Sequence, residues 1–121
     1  GSGVNVVFDP VGGTAFDAAS RRMARNGRLL VIGFASGTIP SLPVNLALVK
    51  EYSVIGVFWG NFTRAEPDIF AANMHELFNW YAKGVVKPVI EGRYPLSQAA
   101  EQLERMRTRD SSGKIVLVPD D

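Results

Sequence analysis

Three glycine-bearing segments carry the residues whose types and spacing could do chemistry: Asp9-Pro10-Val11-Gly12-Gly13, Gly33-Phe34-Ala35-Ser36-Gly37 and Phe58-Trp59-Gly60-Asn61. Each follows a short apolar run. Glycine lets the main chain take positive φ and lets a flat ring approach the backbone with no side chain between. Any one of the three is ordinary turn chemistry. Three together, each at the end of an apolar run, form a candidate site in which backbone groups meet a ligand. Other chemistries find no support. His75, the single histidine, stands in His75-Glu76-Leu77-Phe78-Asn79, which lacks the second histidine of a zinc-binding helix and reads as a surface or half-buried helix residue. Ser36, Ser41, Ser97, Ser111 and Ser112 have no nucleophile elbow around them. Among the aromatic residues, Trp59, Phe62 and Trp80 are candidates for a hydrophobic or partner-facing surface, with core packing the preferred reading of Trp80.

The elements that must position these loops follow from periodicity. Val4 to Phe8 is a nearly unbroken apolar run ended by Asp9-Pro10, the pattern of a buried parallel strand. Thr14 and Asp17 have capping-box-like spacing, and Phe16, Ala19 and Met23 recur at helical intervals up to a C-terminal cap at Asn26-Gly27. Arg28 to Ile32 is a second strand, so the chain begins as strand, helix, strand. A right-handed crossover then places the carboxyl ends of both strands on one edge, with Asp9 to Gly13 beside Gly33 to Gly37. Asn45 is expected to cap a short helix over Leu46 to Lys50, and Ser53 to Trp59 to form a third parallel strand in which Gly56 is a weak point unless close packing requires it. Pro67 opens the longest helix, with Phe70, Met74, Leu77, Phe78 and Tyr81 as a core-facing stripe and Gly84 as its stop. A strand over Pro88 to Glu91, a helix capped by Ser97 with Leu96, Ala100, Leu103 and Met106 inward, and a final strand complete the chain. The class is α/β. Gly1-Ser2-Gly3 carries no weight in this reading.

Composition narrows the alternatives. At 121 residues, 46% hydrophobic and 21% charged, with mean hydropathy +0.06, the chain reads as one ordinary folded unit. A net charge of +1 provides no field suited to a phosphate backbone, so nucleic acid is not an expected partner. The absence of cysteine removes disulfides and thiolate metal sites and fits the cytoplasm. No apolar run reaches the roughly 20 residues needed to span a bilayer, so no membrane association is expected.

With these residues in place, a resemblance becomes specific. Val6 to Gly13, Gly27 to Gly37 and Ser53 to Val57 resemble, in order and spacing, the later cofactor-domain strands of the zinc-independent quinone-oxidoreductase-like medium-chain dehydrogenases/reductases. Lys87 to Ile90, Tyr94-Pro95-Leu96 and Gly113 to Leu117 are similar to that family's closing segment. The resemblance implies the C-terminal half of a Rossmann-like parallel sheet with flanking helices over residues 1–87, followed over 88–121 by a short closing strand-helix-strand segment that would return to a GroES-like catalytic domain. It implies NADPH (or NADH) as cofactor and hydride transfer to a quinone or enone, a small-molecule substrate. Gly12 and Gly13 would lie near the nicotinamide, Ile32, Gly33, Phe34 and Ala35 along its carboxamide side, and Phe58, Trp59 and Gly60 against the same end. Arg109 stands where some relatives place an arginine near the cofactor; the reading from the residues alone is a solvated charge at a helix end. No catalytic and no metal-binding residue is assigned. The glycine-rich phosphate-binding turn and the residue that selects the ribose 2′ group are not in this chain. The expectation is therefore an incomplete oxidoreductase, inactive alone, forming a homodimer through Ser53 to Trp59. Weak or undetectable cofactor binding belongs to the same expectation, as does an Ile115 to Val118 that is poorly paired, swapped between copies or held by crystal contacts. A freestanding α/β nucleotide-binding, regulatory or dimerisation module remains the alternative.

Overall fold

The computed structural model describes residues 3–120; Gly1, Ser2 and Asp121 lie outside the described residues. The chain divides into two units, one running to Phe70 and the other from Ala71.

In the first unit, β1 (Val4–Asp9), β2 (Met23–Val31) and β3 (Ser53–Gly56) form a parallel sheet in the order β1-β2-β3. Val6 to Asp9 pair with Arg28 to Val31, which pair in turn with Ser53 to Gly56. The parallel order expected from the apolar runs is therefore the observed one, with the carboxyl ends of all three strands on one edge. Helix α1 (Gly13–Ser20) connects β1 to β2. It ends well before Asn26, because Arg22 donates its N–H to the Ala19 carbonyl and its own carbonyl accepts from Val4, which starts the ladder. Met23 is thus a buried strand residue and not part of a helical stripe. The positive φ expected near Asn26-Gly27 does occur, at Asn26 with φ 59°, but within a bulge of β2 where the register jumps from Val4 opposite Met23 to Val6 opposite Arg28. Asn26 donates its N–H to the Glu51 carbonyl there, at 2.7 Å.

The core gathers Phe16 from α1, Met23 and Leu29 from β2, and Tyr52 just before β3, with Val7, Ala19, Leu42, Leu46 and Ala47 packed against it. Leu46 and Ala47 belong to α2 (Asn45–Lys50), of which Asn45 is the first residue and makes no side-chain cap. The third strand is shorter than expected. Val57 still donates to the Val31 carbonyl at 2.9 Å, but β2 ends at Val31 and offers nothing further. Phe58 therefore becomes the cap of α3 (Trp59–Ala65), its carbonyl accepting from Asn61 and Phe62. Neither do the apolar runs lie covered on both faces: Val4, Val6 and Phe8 of β1 and Val54 and Ile55 of β3 are exposed. Close packing does not explain Gly56, since a Cβ there would meet nothing within 4 Å.

Helix α4 (Pro67–Ala82) begins at Pro67 as expected and crosses the join between the units. Gly84, at φ 68°, follows it, and Gly84 and Val85 donate to the Tyr81 and Trp80 carbonyls, a glycine stop. Its apolar stripe is not a buried one. No α4 residue is buried, and Leu77, Phe78, Trp80 and Tyr81 are exposed, which corrects both the stripe and the core placement of Trp80.

The second unit is another strand-helix-strand: β4 (Ile90–Pro95), a 3₁₀ turn at Leu96–Gln98, α5 (Ala99–Arg107) and β5 (Lys114–Val118). The first strand runs later than Pro88 to Glu91, because pairing starts at Ile90, opposite Lys114, and after an irregularity continues through Gly92 to Pro95. They pair parallel with Ile115 to Val118, so the final strand is fully paired, contrary to expectation. Ser97 sits inside the turn and binds the Asp120 carboxylate through its N–H (3.1 Å) and hydroxyl (3.0 Å), so it is not a helix cap. Leu96, Ala100, Leu103 and Met106 are exposed, and the buried α5 residue is Gln102, whose Oε1 accepts from Arg105 at 2.8 Å.

Candidate functional site

At the carboxyl edge of the first sheet, two of the three glycine-bearing segments are tied together by their main chains. The Asp9 carbonyl accepts from Ile32 (3.0 Å) and Gly33 (3.3 Å), the Pro10 carbonyl from Ala35 (3.0 Å) and the Val11 carbonyl from Ser36 (3.0 Å). Gly13 donates back to the Thr38 carbonyl at 3.2 Å. That bond satisfies the first N–H of α1, and no side-chain capping bond is made at Gly12, the cap residue, so the Thr14/Asp17 capping box is not what starts this helix.

Glycine is required in the first loop. Gly12 takes φ 71° and ψ −155°, a region open essentially to glycine alone, and a Cβ there would stand 2.9 Å from the Thr38 carbonyl oxygen. Gly13, at φ 54°, would place a Cβ 3.0 Å from the Ser36 hydroxyl oxygen. Gly12 is buried, Gly13, Ile32 and Gly33 are half-buried, and Phe34 and Ala35 are exposed. The third segment leaves the same edge after β3: Phe58 and Trp59 are exposed, Gly60 is half-buried, and the Trp59 ring meets Phe70 edge-on at 5.6 Å. Among the described residues, the main-chain bonds that join the first two segments do not reach Phe58, Trp59 or Gly60; the Phe58 carbonyl instead accepts from Asn61 and Phe62 of α3.

A cleft of about 490 Å³ opens between the start of α1 and the segment after β2, lined by Gly13, Thr14, Asp17, Ser36, Thr38 and Ile39 among others. Ligands of open parallel sheets settle outside the carboxyl ends of the strands, where this cleft lies. A larger concavity of about 790 Å³ lies beside Val4 and Met23, near the amino ends of β1 and β2. Its Arg21 and Lys50 stand at the ends of α1 and α2, where cations complement the helix dipoles, and we assign it no chemistry.

Asp9 was not singled out by its sequence pattern. Its side chain is buried, and Oδ1 accepts from the N–H groups of Val11 (2.9 Å) and Gly12 (3.0 Å). An aspartate two and three residues before those amides is an Asx-turn signal, legible in Asp9-Pro10-Val11-Gly12.

Arg109 belongs to the second unit. It is exposed, has φ 60° and follows α5, with its N–H donating to the Met106 carbonyl (3.2 Å) and that of Asp110 to the Arg105 carbonyl (2.8 Å). It therefore occupies the left-handed stop position that glycine ordinarily fills. Beside it a recess of about 310 Å³ is lined by Glu91, Arg105, Asp110, Ser111 and Ser112. Arg105 pairs with Glu91 and donates to the Tyr94 hydroxyl (3.1 Å) and the Asp110 carbonyl (3.0 Å). Glu91 also accepts from the Ser112 N–H at 2.8 Å; that bond first, and Arg105 second, hold its carboxyl below the usual range.

The geometry agrees with what the chain is similar to. The zinc-binding dehydrogenase family model matches residues 1–117. Quinone oxidoreductase-like protein 2 of Bos taurus is 36% identical over 95% of this chain and 33% of its own length. Prostaglandin reductase-3 of Bos taurus is 35% identical over 95% of this chain and 34% of its own. The mycobacterial protein Rv1454c, solved in complex with NADPH, superposes with a TM-score of 0.85 at 30% identity, over 98% of this chain and 36% of that one. Escherichia coli quinone oxidoreductase, also solved with NADPH, gives 0.81 at 25% identity, over 98% of this chain and 37% of that one. The family's name refers to zinc, but the described residues of this chain bring no donor set together. It has no cysteine and one histidine, and among the described residues no three His, Asp or Glu gather where they could hold a metal ion. Matched along nearly all of its length, the chain belongs to the zinc-binding dehydrogenase family and spans about a third of the quinone oxidoreductase-like members it resembles.

Proposed function

We propose that the protein to which this chain corresponds is an oxidoreductase that transfers a hydride from NADPH (or NADH) to a quinone or an activated alkene or carbonyl, and that this chain supplies the nicotinamide end of the cofactor site. The observation that carries the reading is the pair of glycine-bearing loops joined through their main chains at the carboxyl edge of a parallel sheet. Gly12 and Gly13 would let a flat ring approach the main chain. Ile32, Gly33, Phe34 and Ala35 would offer main-chain groups to its amide, and Phe58, Trp59 and Gly60 would close the same end. Arg109, in the second unit, is proposed as a cofactor residue on the family resemblance alone. When bound, the cofactor supplies the hydride; the residues here hold and orient it. The proposed organisation is 1–87 for the cofactor domain and 88–121 for the closing segment, in a protein of the cytoplasm.

Hydride transfer needs donor and acceptor held at near-attack distance, and a misplacement of about 1 Å can cost about a hundredfold in rate. This chain has no glycine-rich turn to bind the pyrophosphate, so alone it should not turn over. The test follows absorbance loss at the reduced-nicotinamide band with NADPH and a simple benzoquinone. The 121-residue chain is compared with a chain extended by the upstream part that its relatives carry. Activity only in the extended chain is expected; equal activity in both refutes the reading.

A homodimer belongs to the same proposal. β3 is an edge strand in the order β1-β2-β3, and its Val54 and Ile55 are exposed with Val57 just beyond. Antiparallel pairing of Ser53–Gly56 with its copy would remove an apolar edge. A monomer mass by light scattering at micromolar concentration argues against it.

A further inference from the structure

We propose that Asp9 is the positioning residue of the cofactor loops, setting the first loop through its carboxylate and the second through its carbonyl; this rests on the cofactor reading above. Asp9 is 5% exposed, and a buried carboxylate is costly unless hydrogen bonds satisfy it. Here they come from one place. Oδ1 accepts from Val11 and Gly12, and Gly12 is the cap residue of α1, so the negative charge also stands at a helix N-terminus. Those two bonds fold the chain back on itself immediately after β1 and hold Gly12 in its glycine-only conformation. On the main-chain side, the same residue's carbonyl receives Ile32 and Gly33, the first residues of the second loop. One residue thus fixes both loops against each other without offering an atom of its side chain to a ligand. Glutamate would carry its carboxylate one methylene too far to reach both amides; asparagine keeps an Oδ1 acceptor in the same place.

The test reads amide hydrogen exchange on the 121-residue chain and NADPH-induced amide shifts on the chain extended by the upstream part that its relatives carry, for the wild type, Asp9→Ala and Asp9→Asn. In Asp9→Ala, exchange at Val11 and Gly12 should accelerate at least about tenfold while Leu29 and Leu30 keep their rates. NADPH-induced shifts at Gly12, Gly13 and Gly33 should disappear, and Asp9→Asn should restore both signals. Unchanged exchange at Val11 and Gly12, protection lost equally at Leu29 and Leu30, or Asp9→Asn behaving like Asp9→Ala would each overturn the assignment. A wild-type extended chain in which NADPH shifts no amide refutes the cofactor reading, while the exchange pattern still decides whether Asp9 holds the loops.

Discussion

Leu29→Ala is the most informative single perturbation of the fold, because Leu29 is fully buried and the core around it is small. Its relative exposure is 0%; it lies between Val7 and Val54 in the sheet and packs with Phe16, Met23 and Tyr52. Truncating a buried leucine removes its transfer free energy and leaves a cavity, about 2 to 5 kcal/mol together. At about 0.05 to 0.15 kcal/mol per residue, a unit running to Phe70 has only about 3 to 10 kcal/mol in total. The substitution should therefore leave the first unit marginal. With a urea slope of about 1 kcal/mol/M, the midpoint should fall by about 2 M or more. The assay is urea unfolding read from amide signals of Leu30 and Val54, which belong to this unit alone. Leu48→Ala serves as a control of identical chemistry in the same unit, at a position 79% exposed, and is expected to cost less than about 1 kcal/mol. A loss below about 1 kcal/mol for Leu29→Ala, or a loss as large for Leu48→Ala, would refute this account of where the core lies.

Gly12→Ala should cost more than Gly37→Ala by thermal melting. Both have positive φ, worth about 1 to 2 kcal/mol, but only at Gly12 would the new Cβ meet a carbonyl oxygen, at 2.9 Å, whereas Gly37 faces open space. Gly56→Ala should stabilise the first sheet by about 0.5 to 1 kcal/mol, since a glycine inside a strand costs entropy and open space surrounds it; a lower melting temperature would show that close packing holds Gly56 after all. The second unit should lose stability in acid. The Glu91 pKa is lowered in the folded state, so its contribution is present above the unfolded value of about 4.3 and disappears as pH falls through the folded value. Glu91→Gln should flatten the acid limb of an unfolding curve followed at Val116, and an unchanged limb would place the acid sensitivity elsewhere.

The sequence alone determined the order of the strands and the edge on which the loops meet. Val4 to Phe8, Arg28 to Ile32 and the run after Ser53 are apolar enough, and spaced widely enough, that parallel pairing with loops at one edge is the economical solution, and the observed register follows it. Pro67 and Gly84 likewise bound their helix through chemistry that acts within a few residues. Tertiary structure decided the rest. Met23 reads equally well as the next member of a helical stripe or the first residue of a strand, and it was the core, with Val4 bonding the Arg22 carbonyl, that made it a strand. Trp59 continues an apolar run in sequence, yet it starts a helix because β2 ends at Val31 and no ladder remains to extend. Phe78, Leu103 and Met106 show the same limit: a periodic apolar stripe records that a face can be covered, whereas what covers it depends on surfaces brought up from elsewhere. Asp9 depends on both levels. Its Asx turn is written within four residues, but its carbonyl's hold on Ile32 and Gly33 exists only once a crossover of more than twenty residues has folded back, since hydrogen bonds across that separation are made by topology and not by local propensity.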